Sequence, residues 1–391
     1  MQQPPASPQQ SDTVIVGMSG GVDSAVAALL LRDAGYSVQG LFMSNWEDDD
    51  SYCTAAEDFQ DARRVSEVLG IPLHRVSFAD EYRERVFKLF LREYAAGRTP
   101  NPDVLCNREI KFGICLEYMQ RLGASWIATG HYARIRRAGT EVQLLKAADL
   151  AKDQSYFLHS VAAGALAKTL FPLAELRKAQ VRGIAHAAGL PVFDKPDSTG
   201  ICFIGERPFQ EFLSAHLRSE PGPIETPDGR IVGEHRGLAL YTLGQRSGLK
   251  VGGRAGAAAA PWYVADKIID RDALIVVQDP DHPLLLSDSF RVEQMHWIDP
   301  REAPAATTLE CAVKTRYRQS DLPCSLRFGE QGSWHVTLDR PARAVTPGQY
   351  AVFYDGERCI GGGIITQRCN SARAAAPRGI TYNSLFSVEG S

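Results

Sequence analysis

No run in the 391-residue sequence approaches the roughly 20 consecutive apolar residues that a membrane helix requires, which argues against a helical membrane span. No two of the eight cysteines are spaced Cys-x-x-Cys, which removes the usual zinc-ribbon and thioredoxin readings. Eight in a chain this long are also too few for a disulfide-built fold, and most read as small buried hydrophobes. Positive charge is not in excess: 43 Lys and Arg face 46 Asp and Glu, a net −3. Any nucleic acid would therefore have to be held by local basic patches. Residues 1–11 have neither a basic end nor an apolar stretch, so they read as a disordered tail rather than a signal peptide, and cytoplasm is the default location. No internal repeat is evident.

What is present is the composition of a globular protein, 44% hydrophobic and 23% charged, with a length that predicts two or three domains. The first part alternates strand and helix patterns. Strands are expected at 13–18, 37–43, 73–78 and 125–130, and helices at 22–35, 54–70, 80–96 and 107–123. Strands separated by helices of this length predict a parallel sheet covered on both faces. A hairpin is expected between 133–136 and 142–145, then helices at 163–170, 176–189 and 208–217. From about residue 220, glycine and proline become frequent and short alternating segments take over, which predicts small β-barrel or sandwich modules. Residues 252–260, rich in Gly and Ala, read as a flexible loop. The expected organisation is a tail at 1–11, an α/β domain at 12–219, a small β-rich domain at 220–284, a C-terminal β-barrel at 285–370 and a second tail at 371–391.

The strongest motif is Ser19-Gly20-Gly21-Val22-Asp23-Ser24, set between the first strand and the first helix. Glycines allow a tight turn and close approach to a phosphate, while a helix N-terminus offers free N–H groups and the positive end of its dipole. The hydroxyls of Ser19 and Ser24 add donors. Asp23 is unexpected beside an anion unless it orients the loop or meets a cation such as Mg²⁺. The motif lacks the lysine of the Gly-x-x-x-x-Gly-Lys-Ser loop.

Two further segments carry cysteine. Asn101-Pro102-Asp103-Val104-Leu105-Cys106-Asn107 is turn-rich, and a helix start at Asn107 would lower the Cys106 thiol pKa, with Asp103 three residues away to exchange a proton. Asp197-Ser198-Thr199-Gly200-Ile201-Cys202 places a second cysteine in an irregular stretch. On spacing alone, both cysteines could equally be packing residues. A basic run, Lys314 to Arg318 with Tyr317 inside it, offers phosphate charge and a stacking ring, or simply a solvated strand.

The Ser-Gly-Gly-Val-Asp-Ser loop resembles that of the PP-loop ATP pyrophosphatases. The Asn101–Cys106 segment, Gly130–Arg134, Lys152–Leu158, the Cys202 segment, Tyr241–Leu249 and Lys314–Gln319 resemble, in order, the bacterial tRNA 2-thiouridylases over residues 12–368. The resemblance implies a Rossmann-like parallel-sheet PP-loop domain, a small β-rich central domain and a C-terminal β-barrel that contacts tRNA. It implies ATP, with Mg²⁺ on its phosphates, held by Gly17, Met18, Ser19, Gly20, Gly21, Val22, Asp23, Ser24, Met43 and Gly130, with no separate protein metal site. It implies tRNA contacts at Asn101, Pro102, Asp103, His131, Lys152, Asp153, Gln154, Arg316, Tyr317 and Gln349.

The activity implied is ATP-dependent 2-thiolation of the wobble uridine. The base C2 oxygen would be adenylated, Cys202 would carry a persulfide, Cys106 would be the second thiol, and a Cys106–Cys202 disulfide would form in turnover. Asp103 would move protons. Implied partners are tRNAs for Lys, Glu and Gln and a persulfide-donor protein, acting on a monomer. The nearest rival reading is a small-molecule adenylating synthetase, and a more distant one is a non-catalytic RNA-binding or sulfur-carrier protein.

Overall fold

The computed structural model describes residues 9, 12–46, 55–139, 141–197, 209–217, 220–249, 251, 260–303, 308–329 and 332–369. Cys202 with its neighbours 198–208, the stretch 252–259 and the tail from 370 onward lie outside them, as does the N-terminal tail apart from Gln9 and Asp12.

The first sheet is parallel. It comprises β1 (Thr13–Met18), β2 (Ser37–Ser44), β3 (Leu73–Ser77), β4 (Trp126–Ala128) and, later in the chain, β7 (Thr169–Leu170), in the order β3-β2-β1-β4-β7. Val14, Ile15 and Val16 of β1 are fully buried, as a central strand covered on both faces requires. The chain builds outward from β1 to β2 and β3, then returns to the other side of β1 with β4. Loops leaving β1 and β4 therefore diverge, and a crevice opens at the carboxyl ends of these two strands. Helix α1 (Val22–Asp33) buries Val22, Ala25, Val26 and Leu29 against the sheet, and the chain leaves it through Gly35 at φ 91°.

Three expectations change. The helix expected at 107–123 starts at Pro102, with Asn101 as N-cap accepting from the Asp103 amide at 3.2 Å. Proline fits the first helical position because its missing N–H would have no partner there. The helix continues as a π-type stretch from Cys106, is kinked at Gly113 (φ −101°, ψ −107°), and resumes as a separate helical segment at Cys115–Arg121. The helix expected at 163–170 ends at Ala167, and Thr169–Leu170 instead pair with Ile127–Ala128 in the sheet. Two strands in the middle domain were not anticipated: β8 (Gly222–Glu225) and β9 (Ile231–His235) join β10 (Tyr263–Ile268) and β11 (Ala273–Val277) in the order β10-β11-β8-β9.

The C-terminal strands are β12 (Leu286–Trp297), β13 (Thr308–Lys314), β14 (Leu322–Phe328), β15 (Trp334–Arg343), β16 (Tyr350–Asp355) and β17 (Arg358–Cys369). They run in the order β12-β15-β14-β13-β16-β17, and β12 pairs with β17 to close a six-stranded barrel. Phe290, Val292, Val313, Leu326, Val336, Ala351, Phe353 and Ile365 fill its interior with no exposure. The expected hairpin forms as β5 (Arg134–Ala138) and β6 (Glu141–Leu145) in register Arg134↔Leu145. Its other edge pairs with β17, Leu145 opposite Arg358 and Leu144 opposite Cys359. An insertion from the first domain thus extends the C-terminal sheet.

Candidate active site

The loop after β1 is wired by its own serines. The Ser19 amide donates to Ser24 Oγ at 3.1 Å, Ser24 Oγ donates to the Gly21 carbonyl at 3.1 Å, and the two hydroxyl oxygens lie 3.2 Å apart. Gly20 sits at φ 74°, and a Cβ there would fall 2.3 Å from the Asp58 carbonyl oxygen, so only glycine fits. Gly21 is the N-cap of α1 and no side chain caps it, which leaves the first-turn N–H groups to face a ligand at the loop mouth.

From the other side of the crevice, Gly130 lies directly on this loop. A Cβ on Gly130 would be 2.7 Å from the Asp23 carbonyl carbon and the Ser24 nitrogen. Met43, at the end of β2, brings its methyl to 3.9 Å from the Cβ position of Gly17, next to Thr129. Of the expected nucleotide contacts, Met18 and Val22 are buried beneath the loop and support it through packing, their backbones remaining part of the turn.

Asp23 is explained by cations from far along the chain. Lys178 Nζ lies 2.7 and 2.8 Å from its two carboxylate oxygens, and the Tyr132 hydroxyl donates to Oδ1 at 2.8 Å. The same ammonium lies 2.7 Å from Asp197, which also takes Lys152 at 2.7 Å and Arg182 at 3.0 Å. Burial alone would raise the Asp197 carboxyl, but the hydrogen bonds and charges of Lys152 and Lys178 outweigh it and hold it at about 2. Burial and the Asp23 charge push the Tyr132 phenol upward, so it stays a donor. Lys195 donates to the Gly20 carbonyl at 3.2 Å and pairs with Asp58 at 2.7 Å and Asp61 at 2.5 Å. The loop carries no lysine of its own, and two lysines from later in the chain, Lys178 and Lys195, bond to its Asp23 carboxylate and Gly20 carbonyl. Sequence reading missed both, together with Tyr132 and Arg182, because only the tertiary fold brings them to the loop.

The helix carrying Asp103 and Cys106 approaches the same crevice. Phe112 on this helix packs against the His131 ring at 5.8 Å between centroids, and His131 follows Gly130. The His131 Nδ1 atom shares a 2.7 Å hydrogen bond with Thr129 Oγ1. Burial, reinforced by the Lys111 charge, drives the His131 pKa well below its ordinary value, so the ring is neutral at pH 7. Burial raises the Asp103 carboxyl, with Lys111 opposing.

Cys106 is only 2% exposed and lies one turn inside the helix rather than ahead of it. This corrects the expectation of a thiol activated at the N-terminus, because the dipole effect fades beyond the first turn. Next to it, the buried Oδ1 of Asn107 has no hydrogen-bond partner among the described residues.

The strap leading into Asn101 is held from two other domains. The Thr99 amide donates to the Pro347 carbonyl at 3.0 Å and Gln349 Nε2 donates to the Thr99 carbonyl at 2.8 Å, both tying it to the barrel. Lys267 of the middle domain donates to the Gly97 carbonyl at 3.1 Å. The side chains expected at tRNA are largely engaged within the chain. Asp153 is buried and accepts from the Ala147 amide at 3.1 Å and the Ser155 hydroxyl at 2.9 Å, while Gln154 Oε1 accepts from the Tyr132 amide at 2.9 Å. Arg316 donates to the Leu243 carbonyl at 2.7 Å and the Ala344 carbonyl at 3.0 Å, joining middle domain to barrel. Tyr317 packs on Phe157 at 4.5 Å between ring centroids, and Arg318 stands exposed beside it. Tyr317 and Arg318 therefore present the accessible chemistry, whereas contact by Lys152, Asp153, Arg316 or Gln349 would require exchanging internal bonds, for Lys152 its ion pair with Asp197.

Three family models match the chain: the tRNA methyl transferase HUP domain over residues 12–206, the tRNA methyl transferase PRC-barrel domain over 210–278 and the aminomethyltransferase beta-barrel domain over 287–365. The tRNA-specific 2-thiouridylase MnmA of Bordetella avium (strain 197N) is 56% identical over 368 residues, covering 91% of this chain and 98% of that protein. The protein of the same name from Chromohalobacter salexigens is 54% identical over 368 residues, covering 94% of each. That from Vibrio cholerae serotype O1 is 55% identical over 360 residues, covering 91% and 96%.

Proposed function

Because this chain belongs to the tRNA-specific 2-thiouridylase family, we propose that it thiolates C2 of the wobble uridine by adenylating the base and then transferring sulfur from a cysteine persulfide. It is a tRNA-uridine sulfurtransferase. The single observation that supports the site assignment is the packing of the Asp103–Cys106 helix, through Phe112, against the loop that touches the phosphate turn.

The Gly20–Ser24 turn would bind the ATP phosphates through first-turn N–H groups, in a conformation held by Gly20 packed against the Asp58 backbone. Lys178 and Lys195 supply charge near it, and Mg²⁺ would accompany the phosphates. Catalysis of adenylation then consists of positioning and charge neutralisation. A carbonyl oxygen leaves poorly, and AMP leaves well. Cys202, which lies outside the described residues, would bring the persulfide. Either Cys106 would attack its inner sulfur and release hydrosulfide toward C2, or the terminal persulfide sulfur would attack C2 directly and Cys106 would resolve the product; both routes close a Cys106–Cys202 disulfide that a reductant must reopen. Asp103, with its carboxyl raised by burial, is suited to take up and return a proton. The base must leave the anticodon stack to reach this pocket. Acceptors would be tRNAs for Lys, Glu and Gln, and a protein would deliver the persulfide to a monomer.

The test is mass spectrometry of nucleosides from tRNA incubated with the protein, Mg-ATP and a persulfide donor. The wild type should produce 2-thiouridine and pyrophosphate, and Cys106→Ser should release pyrophosphate without the thiolated nucleoside. Cleavage of ATP for a small-molecule acceptor, with no thiolated nucleoside from either protein, would move the assignment to an adenylating synthetase.

A further inference from the structure

The barrel holds a second pair of cysteines, far in sequence from the two in the proposed reaction. Cys311 on β13 and Cys324 on β14 are direct cross-strand partners, and their sulfurs lie 3.7 Å apart. Directly opposed residues in an antiparallel pair have Cα atoms about 4.5 or 5.5 Å apart, and a disulfide accommodates about 4.4–6.8 Å. The ladder therefore already meets the backbone requirement, and side-chain rotation alone can bring the sulfurs to bonding distance. Cys311 is partly exposed and Cys324 is 1% exposed, so Cys311 is the more accessible residue of the two.

We propose that Cys311 and Cys324 form a thiol-modification site that a low-molecular-weight disulfide such as oxidised glutathione converts into a cross-strand disulfide. The Cys311 thiolate attacks one sulfur of oxidised glutathione, forms a mixed disulfide and expels one glutathione thiolate. Cys324 then gives up its proton and attacks the Cys311 sulfur, expelling the second glutathione. Two protein thiols are oxidised and one glutathione disulfide is reduced to two thiols. The bond would staple the hairpin whose turn carries Arg316, Tyr317 and Arg318, because only Ala312↔Pro323 and Val313↔Leu322 lie between the two cysteines and the end of the ladder. The chemistry is independent of the proposed thiolation reaction. Only the link to RNA contact rests on that reading.

The experiment uses the full chain with Cys106→Ser and Cys202→Ser, which removes the other reactive pair. It is incubated with oxidised glutathione, free thiols are blocked, and peptides are analysed by mass spectrometry. The expected product is a linked Cys311–Cys324 peptide pair, about 2 Da lighter than the two thiol peptides and lost on reduction. Adding Cys324→Ser should stop the reaction at a glutathione adduct on Cys311. Both thiols remaining free, or glutathione persisting on Cys311 while Cys324 stays alkylatable, would overturn the proposal. Binding of unmodified tRNA before and after oxidation then reads the link to RNA. A change in affinity ties the staple to the turn, and no change confines the inference to the thiol chemistry.

Discussion

Lys178 donates to both carboxylate oxygens of Asp23, at 2.7 and 2.8 Å, while lying 2.7 Å from Asp197. One ammonium thus ties the phosphate turn to the stretch that leads toward Cys202. Lys178→Met should leave two carboxylates facing each other without their shared cation. Each is about a third exposed, so the expected loss of stability is modest, about 1–2 kcal/mol. Pyrophosphate release should suffer more, through a higher KM for ATP, and Lys178→Arg should recover it only in part. Urea unfolding together with a pyrophosphate assay separates the two effects, and an unchanged KM would count against a role at the phosphates.

Gly130→Ala tests the seating of the two loops on each other. The added methyl would meet backbone atoms of Asp23 and Ser24 at 2.7 Å, and backbone cannot step aside as a flexible side chain can. A cost of about 1–3 kcal/mol is expected for such overpacking, divided between stability and nucleotide affinity. Thermal unfolding with and without ATP should show a smaller nucleotide-induced shift than in the wild type.

Asp103 should imprint its raised pKa on the reaction. As a base it works only when ionised, so thiolation should fall as pH drops through a value above the ordinary carboxylate range. In Asp103→Asn that acid limb should vanish, with the remaining rate lower by about 100-fold or more. A pH–rate profile of the variant that keeps the wild-type limb would assign the limb to another group.

Lys267 makes an opposite kind of prediction. Burial lowers its pKa to about 8 from the usual 10.5. Below pH 8 the folded and unfolded chains both hold the proton, and this group adds no pH dependence. Between about 8 and 10.5 the unfolded chain keeps a proton that the folded chain has released, so stability from this group rises with pH. Lys267→Met should remove that rise. Urea midpoints of wild type and variant, compared from pH 7 to 10, give the difference directly.

The sequence made the α/β layout legible because its signals are local. The apolar run 13–18, the Gly-Gly turn and the helical spacing of Val22, Ala25, Val26 and Leu29 all lie within 20 residues. The Ser19–Ser24 stretch was readable as a strand-to-helix turn for the same reason. Errors arose where tertiary partners decide. Thr169–Leu170 continues an apolar helical pattern, yet it completes the sheet beside β4. The turn-rich segment from Asn101 was expected to precede a helix starting at Asn107, yet Pro102 is the first helical residue, because Asn101 caps it. Lys178 and Lys195 have no local signature and meet the loop only through long-range folding. The basic run around Arg316 was readable either as phosphate contact or as a solvated strand, and the Arg316 guanidinium is neither, being spent on the carbonyls of Leu243 and Ala344.

The β5–β6 hairpin has a practical consequence for dissecting this protein. The Leu144–Leu145 part of its β6 edge is paired only because β17, more than 200 residues later, lies beside it. A fragment cut after the first family module, at residue 206, would expose that edge, and unpaired edges recruit strands from other molecules. Such a fragment should self-associate rather than behave as an autonomous nucleotide-binding unit. Separating the domains cleanly would require removing or redesigning the hairpin as well as choosing a boundary.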